Sequence, residues 1–186
     1  AAELEIMRRA GALVIDTLRR LRDALRPGIA TGDLDRMAEQ YIHTHGGVPS
    51  FKGYRGFPAS ACISVNQQVV HGIPGARRLC EGDIVSIDIG AMVDGYHGDA
   101  AATFPGGRIS ARARHLLVET YRALHEGIAQ VWPGGRVGDV SHAIQSCVEA
   151  QGYSVARDLF GHGIGRAMHE EPRVPNFGTP GRGPVL

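Results

Sequence analysis

Apolar residues recur at helical spacing near the start of the chain, at Leu4, Met7, Gly11, Val14, Ile15, Leu18, Leu21 and Leu25, with charged residues between them. The spacing predicts a helix over residues 2–26, which Pro27-Gly28 stops. Thr31 is placed to cap a second helix that Gly46-Gly47 ends. Short β-like runs follow, Ala61 to Val65 and Val69-Val70, joined by the turn-prone Asn66. Two longer runs, Ile84 to Ala91 and Tyr96 to Phe104, flank Asp94-Gly95, the strongest local signal for a two-residue hairpin turn. Ser110 caps a helix to about Val131, Pro133-Gly134-Gly135 breaks it, and a further helix runs from Val137 to Gln151. Tyr153 to Phe160 reads as a strand.

The pattern repeats. Shifted by 106 residues, Pro27-Gly28 falls on Pro133-Gly134, Gly32-Asp33-Leu34 on Gly138-Asp139-Val140, Ile42 on Val148, and Gly46 on Gly152. A first half of about residues 1–105 and a second half from about residue 106 would each be α/β, with a site expected at their junction. Helix-breaking residues could coincide by chance, but ordered identities with matched apolar positions favour a duplication.

The hairpin sets the chemistry. If Asp94-Gly95 forms the turn, Val93 pairs with Tyr96 and Asp88 lies opposite Ala101. Asp99, two residues from Ala101, then projects from the same face as Asp88, with the backbones about 7–8 Å apart. Two acids on a half-exposed sheet could simply face water. Asp88, however, stands between Ile87 and Ile89 in an almost continuously apolar strand, which predicts burial on both faces. A buried carboxylate pair needs compensation, and a divalent metal site supplies it.

Gly161-His162-Gly163-Ile164-Gly165 sets a histidine among glycines after a predicted strand, and Val70-His71-Gly72-Ile73-Pro74 does so at the end of another. The first is a poor nucleotide-binding loop, because Pro172 arrives before a helix could open. His169-Glu170-Glu171-Pro172 is not the H-E-x-x-H zinc helix, and no G-x-S-x-G elbow is present. Each histidine alone could be structural; a loop histidine presented to a metal fits the first better.

Bulk composition adds little. The 186 residues are 43% hydrophobic and 21% charged with a net charge of +1, so no strong pull toward nucleic acid or acidic lipid follows. Cys62, Cys80 and Cys147 are odd in number and widely spaced, which points to a reducing, cytoplasmic setting without disulfides. No apolar run approaches the roughly 20 residues of a membrane span.

Together, Asp88 and Asp99 in the pattern D-x10-D, His162 in G-H-G-I-G and His169 in H-E-E-P resemble the signature of the pita-bread metallopeptidases. Val70-His71-Gly72-Ile73-Pro74 narrows the resemblance to type I methionine aminopeptidases, and it runs from the first helix to the last residue. It implies an α+β fold of two halves related by a pseudo-two-fold axis, with a central, mainly antiparallel sheet flanked by helices. It implies two divalent ions (Co, Mn, Fe or Zn), with Asp88, Asp99 and His162 as ligands. His71 and His169 would contact substrate, and a metal-bridging hydroxide would attack the scissile carbonyl. Phe51, Tyr54, Phe57, Cys62 and Met168 match positions lining a methionine pocket; Met168 stands where the family commonly has an aromatic residue. The implied substrate is a nascent polypeptide with a small second residue, the ribosome being a further partner that the resemblance leaves open. A monomer is expected, and no nucleic-acid or membrane partner. The family's site uses two more glutamates, and the repeat would put a counterpart of Asp88 at about position 194. Residues 1–186 therefore read as one catalytic domain incomplete at its C-terminus, inactive as a free-standing chain. An Xaa-Pro-type pita-bread peptidase and a non-catalytic pita-bread binding protein are the alternative readings.

Overall fold

The computed structural model describes residues 2–186, which form α1 (Ala2–Ala24), α2 (Thr31–Thr44), β1 (Val48–Pro49), a 3-10 turn (Tyr54–Gly56), β2 (Ala61–Val65), β3 (Ile84–Val93), β4 (Tyr96–Pro105), α3 (Ala111–Ile128), α4 (Val137–Glu149), β5 (Phe160–Gly163) and β6 (Glu170–Pro175). The class is α+β with antiparallel sheets, as expected. Two compact units form, Ala1–Ser110 with Ile164–Met168, and Ala111–Gly163 with His169–Leu186.

In the first unit β3 is the central strand. It pairs with β4 along one edge and with β1 and β2 along the other, all antiparallel. The hairpin register is the expected one: Val93 faces Tyr96 and Asp88 faces Ala101. Asp94 and Gly95 both take positive φ, 47° and 82°, as a type I′ turn requires.

Alternation sorts the strands into two faces. Ile63, Val65, Val85, Ile87, Ile89 and Ala91 point one way and are buried against α1 and α2. Each large aliphatic side chain so buried contributes on the order of 2 kcal/mol. Ser86, Asp88 and Met92 point the other way and are only half-buried. The apolar run thus covers one face fully, not both; the second face carries the site.

Helix α1 reaches the sheet by close backbone approach. A Cβ at Gly98 of β4 would lie 2.6 Å from the Ala10 carbonyl carbon and 2.7 Å from the Gly11 nitrogen. The buried stripe of α1 is Ala10, Leu13, Val14, Thr17, Leu18 and Leu21, whereas Leu4 and Ile15 of the expected stripe are exposed.

In the second unit α3 packs on α4, α4 packs on β6, and β5 pairs with β6. Its helix start copies that of the first unit. The Ala30 N–H donates to the Asp33 carboxylate and the Arg136 N–H to the Asp139 carboxylate, at 3.4 and 2.9 Å. The next-turn glycines, Gly32 and Gly138, donate N–H to the carbonyls of Gly75 and Arg182 at 2.8 and 2.9 Å. An acid in the first helical turn satisfies an orphan amide and complements the helix dipole.

Three local expectations fail for identifiable reasons. Thr31 is the first residue of α2, not its cap, because its hydroxyl is exchanged with the backbone of Gly75. Val69-Val70 is not a strand: Gln68 hydrogen-bonds back to Val65 through both its backbone N–H and its side chain, closing a turn that ends the ladder. Residues 153–159 are not a strand either, since the Asn176 side-chain amide occupies the carbonyls of Ala156 and Leu159. Only Phe160 onward pairs with β6.

The contact at Gly98 is directly testable. Gly98→Ala should destabilise by about 1–3 kcal/mol, as overpacking against backbone does. Gly11→Ala, whose Cβ would meet nothing within 4 Å, should be neutral or stabilising by up to about 1 kcal/mol. Chemical denaturation of both variants checks this.

Candidate metal centre and apolar pocket

The half-buried face of the first unit's sheet collects the chemistry. Cys62 of β2 is the register partner of Asp88, which faces Ala101, while Asp99 faces Gly90. Cys62, Asp88 and Asp99 therefore project from one face across three adjacent strands. The two carboxyls share a hydrogen bond. Burial first, then the charge of Asp99 and that shared bond, pushes Asp88 up to about 7. Its Oδ1 is buried without a hydrogen-bond partner among the described residues. Burial and the nearby charges of Asp88, Asp99 and Asp35 push the Cys62 thiol up to about 12, so it behaves as an apolar wall and not a nucleophile.

That wall belongs to a second apolar cluster, separate from the core under α1. Phe51, Cys62 and Met168 are buried together, with Tyr54 and Phe57 packed at the margin. The structure thus brings all five expected pocket residues into one group. The Phe51 ring lies over Gly90, where an added Cβ would come within 2.5 Å of Cε1. Only glycine at the position facing Asp99 lets the ring in.

His71 is exposed and holds φ at 58°, a left-handed conformation that costs a non-glycine residue about 1 kcal/mol or more. Its neighbour Gly72 is pinned to β2: the Ile63 N–H donates to the Gly72 carbonyl at 2.8 Å and the Gly72 N–H to Ser64 Oγ at 3.0 Å.

In the second unit, His162 and His169 come together with ring centroids 4.0 Å apart. Nδ1 of His162 lies 2.9 Å from the Gly163 carbonyl, which selects the tautomer protonated on Nδ1 and puts the lone pair on Nε2. A break in β-pairing register between His162 and Gly163 re-aims the chain at this point. Among the described residues, no three His, Cys, Asp or Glu side chains are grouped closely enough to hold an ion unaided.

Sequence reasoning missed the supports. Asp35 accepts the N–H groups of Ser60 and Ala61, both at 2.9 Å, and so fixes the entry of β2. Ser50 Oγ and His97 Nδ1 are hydrogen-bonded at 2.8 Å. The alternation that placed Asp99 also puts His97 on its face, so His97 was findable; Asp35 had no signal.

A model of metallopeptidase family M24 matches residues 5–186. The chain is 54% identical to a methionine aminopeptidase of Clostridium perfringens over 184 residues, covering 99% of this chain and 74% of the relative. It superposes on the crystal structure of methionine aminopeptidase from Thermotoga maritima with a TM-score of 0.97 at 44% identity, covering all of this chain and 75% of that one. The corresponding enzyme of Rickettsia prowazekii gives 0.97 at 39% identity with the same coverage. The α+β architecture is that of the pita-bread enzymes. The chain belongs to metallopeptidase family M24, and the relatives it matches at about half identity are methionine aminopeptidases.

Proposed function

We propose that this chain is a metalloaminopeptidase that releases N-terminal methionine from polypeptides. The observation carrying this reading is the register pair Cys62–Asp88, which sets an apolar, sulfur-tolerant pocket beside a half-buried carboxylate pair. A thioether suits walls of phenylalanine, cysteine and methionine, which are polarisable and adaptable. Nearness to the carboxylates makes the α-carbon end of that side chain, not its tip, the reacting end.

The carboxylates fit divalent cations. A pair held together, with one oxygen lacking a hydrogen bond among the described residues and a proton retained to about pH 7, is relieved when a cation replaces that proton. Asp88, Asp99 and His162 are the proposed ligands; two ions are proposed, from among Co, Mn, Fe and Zn, which such mixed oxygen and nitrogen donors accept. When bound, divalent ions supply Lewis acidity toward the scissile carbonyl and make water a stronger nucleophile. Phe51, Cys62 and Met168 exclude water around the methionine side chain, with Tyr54 and Phe57 at its rim. His162 is held by Gly163 in the tautomer a metal ligand needs. His71 and His169 are the proposed hydrogen-bonding contacts to substrate, His169 at the scissile carbonyl, and the strained backbone of His71 supports such a role. Nascent chains with a small second residue are the proposed substrates, the ribosome a partner outside this reading, and a cytoplasmic monomer the working form. No helix among the described residues is long and apolar enough to cross a membrane.

Expressed from its complete open reading frame and supplied with Mn(II), the protein should release methionine from Met-Ala-Ser and far more slowly from Met-Leu-Ser. Asp88→Asn should lower kcat/KM by at least about a hundredfold and weaken Mn(II) binding in calorimetry. Turnover indifferent to chelators and to Asp88→Asn would refute the reading.

Metal-free protein has its own signature. Asp88 holds its proton more tightly folded than unfolded, where its value is near 3.8. The stability this adds is complete below about pH 4 and is lost as pH rises through about 7. Thermal unfolding in chelator should therefore show wild type losing stability relative to Asp88→Asn across that window, with divalent cation abolishing the loss.

A further inference from the structure

The pocket walls come from three places far apart in sequence. Phe51 follows β1, Cys62 sits on β2, and Met168 belongs to the strap Ile164–Met168, which packs with the first unit. Something must hold these pieces in register, and the geometry at the start of β4 does so.

The first wall is tied to the sheet beside the carboxylates. The Ser50 N–H donates to the Gly90 carbonyl at 2.9 Å, and the Ser50 hydroxyl meets His97 Nδ1 at 2.8 Å. These bonds fix the residue immediately before Phe51, whose ring lies over Gly90. The strap is tied to the same histidine. The His97 N–H donates to the Gly165 carbonyl at 2.9 Å, and the Gly165 N–H reaches Ala167 at 3.2 Å, turning the chain just before Met168. Beside it, the Arg166 guanidinium lies 4.6 Å from the Tyr96 ring centroid and bonds the Glu3 carboxylate at 2.9 Å, a second fastening at the preceding residue of β4.

We propose that His97 is a positioning residue for the methionine pocket, its imidazole holding the Phe51 wall through Ser50 while its backbone amide holds the Met168 strap. His97 lies two residues from Asp99 on the same strand face, so the pocket is aligned to the carboxylates by one short piece of β4. This rests on the aminopeptidase reading for the identity of what the pocket takes, but the alignment itself does not. Substitution leaves the backbone link to Gly165 in place, so side-chain variants remove the imidazole and its Ser50 link without cutting the tie to the strap. A half-buried hydrogen bond of this kind is worth about one factor of ten in the equilibrium it controls.

The test uses Cys62 as a reporter, in the full protein carrying Cys80→Ser and Cys147→Ser. Cys62 is inert while buried, so its labelling by iodoacetamide reports opening of the pocket. It should accelerate by about tenfold in His97→Ala and in Ser50→Ala, and stay near the parent rate in His97→Asn, whose amide can still meet Ser50. In turnover of Met-Ala-Ser, the two alanine variants should raise KM by about tenfold with a smaller fall in kcat, the pattern of lost uniform binding. Unchanged Cys62 labelling in both alanine variants overturns the proposal, as does His97→Asn labelling as fast as His97→Ala. A fall in kcat at constant KM also overturns it, since that assigns His97 to the chemistry. Absence of methionine release by the parent protein would instead refute the aminopeptidase reading, while the labelling arm still decides the role of His97.

Discussion

Two carboxyl groups are forced together on one face of a sheet whose other face is the hydrophobic core. Everything distinctive about the first unit follows from that constraint. The hairpin must keep its register, because a slip of one residue would bury Asp88 and Asp99 in the aliphatic layer under α1 and expose Ile87 and Ile89. Positive φ at Asp94 and Gly95 pins that register at one end, and the backbone approach of α1 at Gly98 pins it from below. The cost is visible in Asp88, which keeps its proton toward neutrality and leaves an oxygen without a hydrogen-bond partner among the described residues. An arrangement of this kind stores a demand for positive charge.

The pocket shares the constraint. Cys62 is the neighbour of Asp88 across the ladder, so the thiol shares the low-dielectric region of the acids, and burial together with their charges raises its proton affinity. That keeps Cys62 inert and lets it serve as packing. Glycine at position 90 opens room for Phe51 directly opposite Asp99. The apolar cluster and the carboxylates are thus joined through the backbone of two strands, β3 and β4, and the hydrogen bonds of Asp35, Ser50 and His97 tie further chain segments to the sheet.

Much of this was legible in the residues alone, where the governing rules are local. Asp-Gly between alternating runs gave the turn, the turn gave the register, and the register put Asp88 and Asp99 on one face. The repeat of helix starts was legible too, because an acid three residues into each helix does the same electrostatic work at Asp33 and Asp139. What stayed hidden depends on distant partners. Thr31 looked like a cap until Gly75, 44 residues away, claimed its hydroxyl. Tyr153 to Phe160 had strand-like residues, but Asn176 satisfies the carbonyls that a neighbouring strand would need. Ser50 and His97 are separated by 47 residues and meet only because β1 contributes two residues to the edge of β3. Periodicity reports which face a residue takes; it does not report who waits there.

The central claim is that the Asp88–Asp99 pair shares a proton which a divalent cation displaces. Infrared difference spectroscopy on the metal-free protein at about pH 6, before and after Mn(II), addresses it most directly. The account predicts loss of a protonated-carboxyl band with gain of carboxylate bands, absent from Asp88→Asn. A spectrum in which no carboxyl band responds to the cation would contradict it.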